Sequence, residues 1–211
     1  MFALLNRIVE ATRKDIERKQ QSITKLFPKF PERLRAVQDN GGIHLESQDP
    51  GVWHFYVASG TEKGLEYHLY VKFLNLKKAI KAGVENRRYW NRKKDKVDRS
   101  KLARNILDTV DMQILCECPA AQYWGSNFIL SKDKYNAKYG KKERRPPNIR
   151  NPKQYGAVCK HAHLLFRTLP FYHGTFAKYL NEYYGTDIER YEKAELKKAG
   201  KLKKDKEQKS K

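Results

Sequence analysis

Apolar and polar positions alternate in two neighbouring runs, VWHFYVAS at 52–59 and EYHLYVKF at 66–73, joined by GTEKGL. A period of two marks a strand with one covered face. Trp53, Phe55 and Val57 share one face of the first run. Tyr67, Leu69, Val71 and Phe73 share one face of the second, with Glu66, His68 and Lys72 opposite. The pair reads as a β-hairpin. NGG at 40–42 and DPG at 49–51 are turn chemistry ahead of it, and MQILCEC at 112–118 resembles a third strand.

Elsewhere the period is helical. Phe2, Leu5, Ile8, Val9, Thr12, Ile16, Ile23 and Leu26 follow the three-and-four spacing of an amphipathic helix, with Glu10 and Lys14 as an i,i+4 pair and Pro28 and Pro31 as its stop. Such a helix packs on its own core or serves as an arm offered to a neighbour; the first use is the commoner. Residues 76–90 and 99–111 read as helical or irregular around the basic linker NRKKDK, with Gly83 weakening the first. CKHAHLLFRTL and HGTFAKYLNEYYG return to helical spacing, with Leu164, Leu165, Phe176 and Leu180 as core positions. Between them, residues 135–155 carry Pro146, Pro147 and Pro152 and read as an extended loop. The expected fold is α+β: a small antiparallel sheet with helices on one side, a long clamped loop and an extended basic C-terminal tail. The expected division is an N-terminal helix or arm at 1–38, an α+β core at 39–190 and a Lys-rich tail at 191–211, the tail disordered or a solvated helix unless a partner holds it.

The charge changes this picture by its placement. The chain of 211 residues has a formal net charge of +21. Residues 87–104 and residues 132–153 each hold nine basic and two acidic side chains, and residues 192–211 hold nine lysines against four acids. Three basic patches on an otherwise nearly neutral protein favour a polyanion or an acidic protein face, against the plainer use of a solubilising surface. In the second patch and just beyond it, Tyr135, Tyr139 and Tyr155 interleave with Arg144, Arg145 and Arg150. That mixture suits stacking on bases with phosphate contacts, and equally suits a protein interface rich in Tyr and Arg. No apolar run is long enough to span a bilayer and no secretory leader pattern opens the chain, so an intracellular product is expected.

The three cysteines are the chemistry. Cys116 and Cys118 flank one residue at a strand end, and after 40 intervening residues Cys159 and His161 open a helix. An odd number of thiols in a reducing compartment makes a poor disulfide framework. Cys-x-Cys puts both sulfurs on one side of the pleat, and the turn into a helix can bring Cys159 and His161 to the same point. Three thiolates and an imidazole form a closed Cys₃His zinc site. His163 is two residues from His161 and faces elsewhere on a helix, so His161 is the ligand and His163 a core or supporting residue. Buried free thiols are the competing use.

CEC followed by CKH resembles the SWIM-type zinc motif, Cys-x-Cys then Cys-x-His. More narrowly, CECPAAQYW, then PPNIRNP, then YGAVCKHAHLLF is similar to SWIM-bearing virion structural proteins of large tailed bacteriophages, over roughly residues 110–185. The middle segment is longer than in the ordinary motif and agrees with the phage version. The resemblance implies a structural zinc, a virion location after synthesis in the host cytoplasm, and a place in the neck, connector, tail or baseplate, with other virion proteins as partners in a symmetric ring. DNA is a further candidate partner. No membrane and no small-molecule substrate are expected. The alternative is a soluble nucleic-acid-binding SWIM protein in replication, recombination or regulation. No P-loop, dinucleotide glycine pattern, deaminase signature or cysteine-protease context accompanies the cysteines, so an enzyme is not expected.

Overall fold

The structure is a computed structural model that describes residues Thr12, Arg13, Glu17, 29–91, 93–123, 148–149 and 158–209, with side chains as far as residue 200. Its contacts divide the chain into two interleaved units. The first holds residues up to Leu74 and Asp108–Pro170, and the second holds Asn75–Leu107 and Phe171 onward. The second unit is built from segments far apart in the chain.

The first unit is an α+β layer. Helix α1 (Phe30–Asp39) leads into strands β1 (Ile43–Asp49), β2 (Val52–Ala58) and β3 (Glu66–Phe73). Later come β6 (Met112–Cys116), the short α4 (Pro119–Tyr123) and α5 (Lys160–Thr168). The sheet is antiparallel in the order β1-β2-β3-β6. The hairpin of β2 and β3 is as expected, with Trp53, Phe55, Val57, Leu69, Val71 and Phe73 buried on one face. Strand β6 adds Met112, Ile114 and Cys116 to that face by pairing with Phe73, Val71 and Leu69.

Two elements are additions to the sequence reading. Strand β1 lay unassigned between two turn signals, because its residues, IHLESQD, are mostly polar and it lies at the sheet edge with little burial. The DPG turn joins it to β2: Gly51 has φ 82°, the value that the third position of a type II turn requires after a proline. Helix α1 contains Pro31 in its first turn, where the missing N–H has no helical acceptor in any case. Pro31 therefore opens a helix, and Leu34 and Val37 bury its inner side. Asn40 closes the helix and donates from Nδ2 to the Ser59 carbonyl at 2.7 Å, tying α1 to the end of β2. The periodic positions from Phe2 to Leu26 on which the N-terminal helix was expected fall mostly outside the described residues. Arg13, which is described, makes an i,i+4 pair with Glu17 at 2.8 Å and donates from Nε and Nη2 to Asp108 at 3.1 and 2.6 Å.

The second unit is helical. It contains α2 (Leu76–Glu85), a 3₁₀ turn over Arg87–Tyr89, the two-residue strands β4 (Trp90–Asn91) and β5 (Lys96–Val97), most of α3 (Arg99–Thr109), and α6 (His173–Lys209). Gly83 survives inside α2 for a packing reason: a Cβ there would strike the buried Leu102 side chain of α3. Asp98 caps α3 by accepting from the Ser100 and Lys101 amides at 3.1 Å. Glu192 of α6 is buried, and its Oε1 accepts from the Val97 amide at 2.7 Å and from Arg99 Nη1 at 2.9 Å. The lysine-rich tail, expected to be disordered or a solvated helix, is helical to Lys209 as the last turns of α6. Lys, Glu, Leu and Ala favour helix, and no proline interrupts them. Among the described residues no helix is long and apolar enough to cross a membrane.

Candidate metal centre

The end of β6 and the start of α5 meet on the covered side of the sheet. Cys116 is the last residue of β6 and pairs with Leu69, so its side chain enters the core face. One residue later the strand has ended, and Cys118 begins the turn into α4: its carbonyl accepts from the Ala121 and Gln122 amides at 3.0 and 3.2 Å. The Ala121 amide also donates to Cys118 Sγ at 3.2 Å. Cys159 is the N-cap of α5, in extended backbone with φ −71° and ψ 171°, and its carbonyl accepts from the His163 amide at 2.9 Å. His161 lies in the first turn of α5, with its ring 5.2 Å from that of Tyr67 on the core face of β3.

The four donor atoms of Cys116, Cys118, Cys159 and His161 lie within 4.8 Å of one another, and all four residues are buried. These are the four residues the sequence selected. Cys116 Sγ and His161 Nδ1 are 3.8 Å apart. A tetrahedral zinc with bonds of about 2.3 Å to sulfur and 2.0–2.1 Å to nitrogen separates such a pair by roughly 3.6 Å, so closure needs only a small inward adjustment.

Two observations test whether these residues fit a metal. His161 is only 1% exposed, and its Nδ1 faces a sulfur at a distance too long for a strong bond. A buried imidazole so poorly served is costly unless something else binds it. The sulfurs give the second observation. Burial, followed by hydrogen bonding to its two neighbours, pushes the Cys116 thiol well above its ordinary range. Cys118 is pulled down by Cys116, but the bond to Cys159 and burial raise it on balance. Hydrogen bonds from Cys116 and Cys118 hold Cys159 well below its ordinary range, with His161 assisting. With no added charge the cluster thus favours one thiolate, at the helix N-terminus, shared by two thiols. Three thiolates in so small a buried space require a cation. The donor set suits a soft or borderline divalent metal, zinc above all.

His163 does not join the cluster. Its ring packs 5.4 Å from Phe30, and burial, with Arg167 adding, pushes its pKa down to about 4. It is a neutral packing residue that fixes α1 against α5. Tyr135, Tyr139, Arg144, Arg145, Arg150 and Tyr155 lie outside the described residues. The amide of Ala121 is a participant that residue spacing did not show; the Pro119 that follows Cys118, a common first helical residue, was its signal. A group on the opposite sheet face, His54, Tyr56, His68 and Tyr70, was visible only as the polar phase of the alternation. Comparison with protein-family models, with curated proteins and with solved structures finds no match for this chain.

Proposed function

We propose that this chain is a zinc-stabilised structural protein, a SWIM-type element within a virion component of a tailed bacteriophage, holding neighbouring subunits through its basic segments. The observation that carries the reading is the convergence of Cys-x-Cys from a strand end and Cys-x-His from a helix start on one buried point. Four protein donors satisfy a tetrahedral zinc and leave no position for water, so the metal is structural and not a catalytic centre. Bound there, it supplies a cross-link between β6 and α5, which are separated by the 40 residues between Cys118 and Cys159. The chain's own residues do the rest: Cys159 starts the helix, the Ala121 amide supports Cys118, and Tyr67 packs on the His161 ring. The concentration of charge into three basic patches supports docking on acidic surfaces of neighbouring subunits in a ring of a neck, tail or baseplate.

The test is mass spectrometry of purified, nuclease-treated particles from a culture that carries the gene. A fixed copy number that is a multiple of six is expected; absence from particles overturns the reading. The charge also supports a second reading, a soluble nucleic-acid-binding protein. That reading expects tight binding by the isolated protein with a steep log-linear loss in salt and a preference for sequence or strandedness; a slope without preference is common to any protein so basic.

A further inference from the structure

The sheet has a second face, and its chemistry differs from that of the covered one. His54 and Tyr56 of β2 and His68 and Tyr70 of β3 alternate with the core residues and are half-buried. His54 Nε2 lies 2.9 Å from His68 Nδ1, with the two ring planes only 3° apart and their centroids 5.0 Å apart. Rings related in this way lie nearly edge to edge, with one proton between two facing nitrogens. Tyr70 Oη is 3.5 Å from the same His68 nitrogen. On β1 the register slips between Leu45 and Ser47, so that Glu46 and Ser47 both fall opposite His54. A bulge of this kind re-aims side chains at one spot. The carboxylates of Glu46, Glu117 and Asp49 each act on His54 in the direction that favours positive charge. Two facing imidazoles thus sit where three carboxylates favour positive charge on His54.

We propose that His54 and His68 form a second metal site, which chelates a divalent first-row transition ion of the nickel or copper type on the open face of the sheet. The donors argue for that class, because neutral imidazole nitrogens suit nickel and copper ions. The observed 2.9 Å is the N–H···N contact of the metal-free pair, and it brings the two rings close enough for one ion to reach both. Both rings turn so that their lone pairs meet at the ion. The ring that held the shared proton moves it to its other nitrogen through solvent, so two neutral imidazoles bind without net proton release. Burial and the neighbouring His68 disfavour a proton on His54, which leaves the pair open to a metal near neutral pH. Tyr70 stays a hydrogen-bonding neighbour of the ion, because burial raises its phenol pKa and keeps it from being a phenolate. The site is distinct from the cysteine cluster: Leu69, which pairs with Cys116, faces the core, and His68 faces the other way.

The experiment is calorimetric titration of Ni²⁺ into the full-length chain already loaded with zinc, so that the thiols are occupied. One Ni²⁺ per chain is expected, and His54→Gln and His68→Gln should each weaken it roughly tenfold or more. The double variant should lose no more than the weaker single one, because a chelate is broken once. Zinc content and far-ultraviolet dichroism verify that each variant is folded, and His173→Gln serves as the control that keeps binding. Absence of a Ni²⁺ event in the wild-type chain, an affinity unchanged in both single variants, or additive losses in the double variant would each overturn the proposal.

Discussion

Truncation of Glu192 to alanine removes a buried carboxylate that joins the short β4–β5 ribbon to α6. The side chain is 7% exposed and accepts from the Val97 amide at 2.7 Å and Arg99 Nη1 at 2.9 Å. Two costs follow from that geometry. The Val97 residue is buried, so its amide left without an acceptor costs about 1–3 kcal/mol. Arg99, 21% exposed, loses its principal counter-charge, but partial solvent access brings this below the roughly 3–5 kcal/mol of a fully buried pair. The sum is about 3–4 kcal/mol. Glu192→Gln keeps the shape and one accepting oxygen, so it loses the charge-assisted part alone, about 1–2 kcal/mol. Urea unfolding followed by circular dichroism at matched zinc concentration measures both. A loss in the alanine variant below about 0.5 kcal/mol, or a glutamine variant as damaged as the alanine one, would refute the assignment of Glu192 as a satisfied buried acceptor.

Stability should rise with free zinc by about 1.4 kcal/mol per decade above the dissociation constant, since one ion binds the folded chain alone, and Cys159→Ser should flatten that line in a thermal melt taken across buffered zinc concentrations. His161→Phe and His163→Phe separate the two histidines: metal analysis should find zinc lost from the first and retained by the second, because only His161 lies in the donor cluster. Gly83→Ala should destabilise by about 1–2 kcal/mol in chemical unfolding despite alanine's better helix propensity, because its Cβ meets the buried Leu102; a stabilised variant would show that α2 and α3 are not so close. Lowering the pH should release the metal as protons compete for the thiolates, which a chromogenic zinc indicator would follow.

What was legible in the sequence was whatever a strong period or a rare residue carried. The β2–β3 hairpin followed from strict alternation of large apolar side chains, and β6 from a short apolar run ending in cysteine. The four candidate donors were readable because all three thiols of the chain lie in two tight clusters and leave little choice of partner. Strand β1 was not readable, since an edge strand with the sequence IHLESQD buries too little to show a period. Helix α1 was hidden by Pro31, which signals a stop after one helix and a start of the next with the same residue type. The assignment of Gly83 to a close approach, rather than to a weak helix, needed Leu102, which is distant in sequence. His54 and His68 were visible as polar positions, but their meeting depends on the diagonal neighbour relation and twist of paired strands, which no single strand displays.

The central claim is that Cys116, Cys118, Cys159 and His161 together hold one structural zinc ion. Its most direct measurement is metal analysis, by inductively coupled plasma mass spectrometry, of protein purified without chelator, paired with native mass spectrometry of the same sample after removal of loosely bound metal. The account predicts close to one tightly held zinc per chain and its loss in Cys159→Ser. A folded chain that carries no zinc, with three thiols freely reactive toward a maleimide, would contradict it.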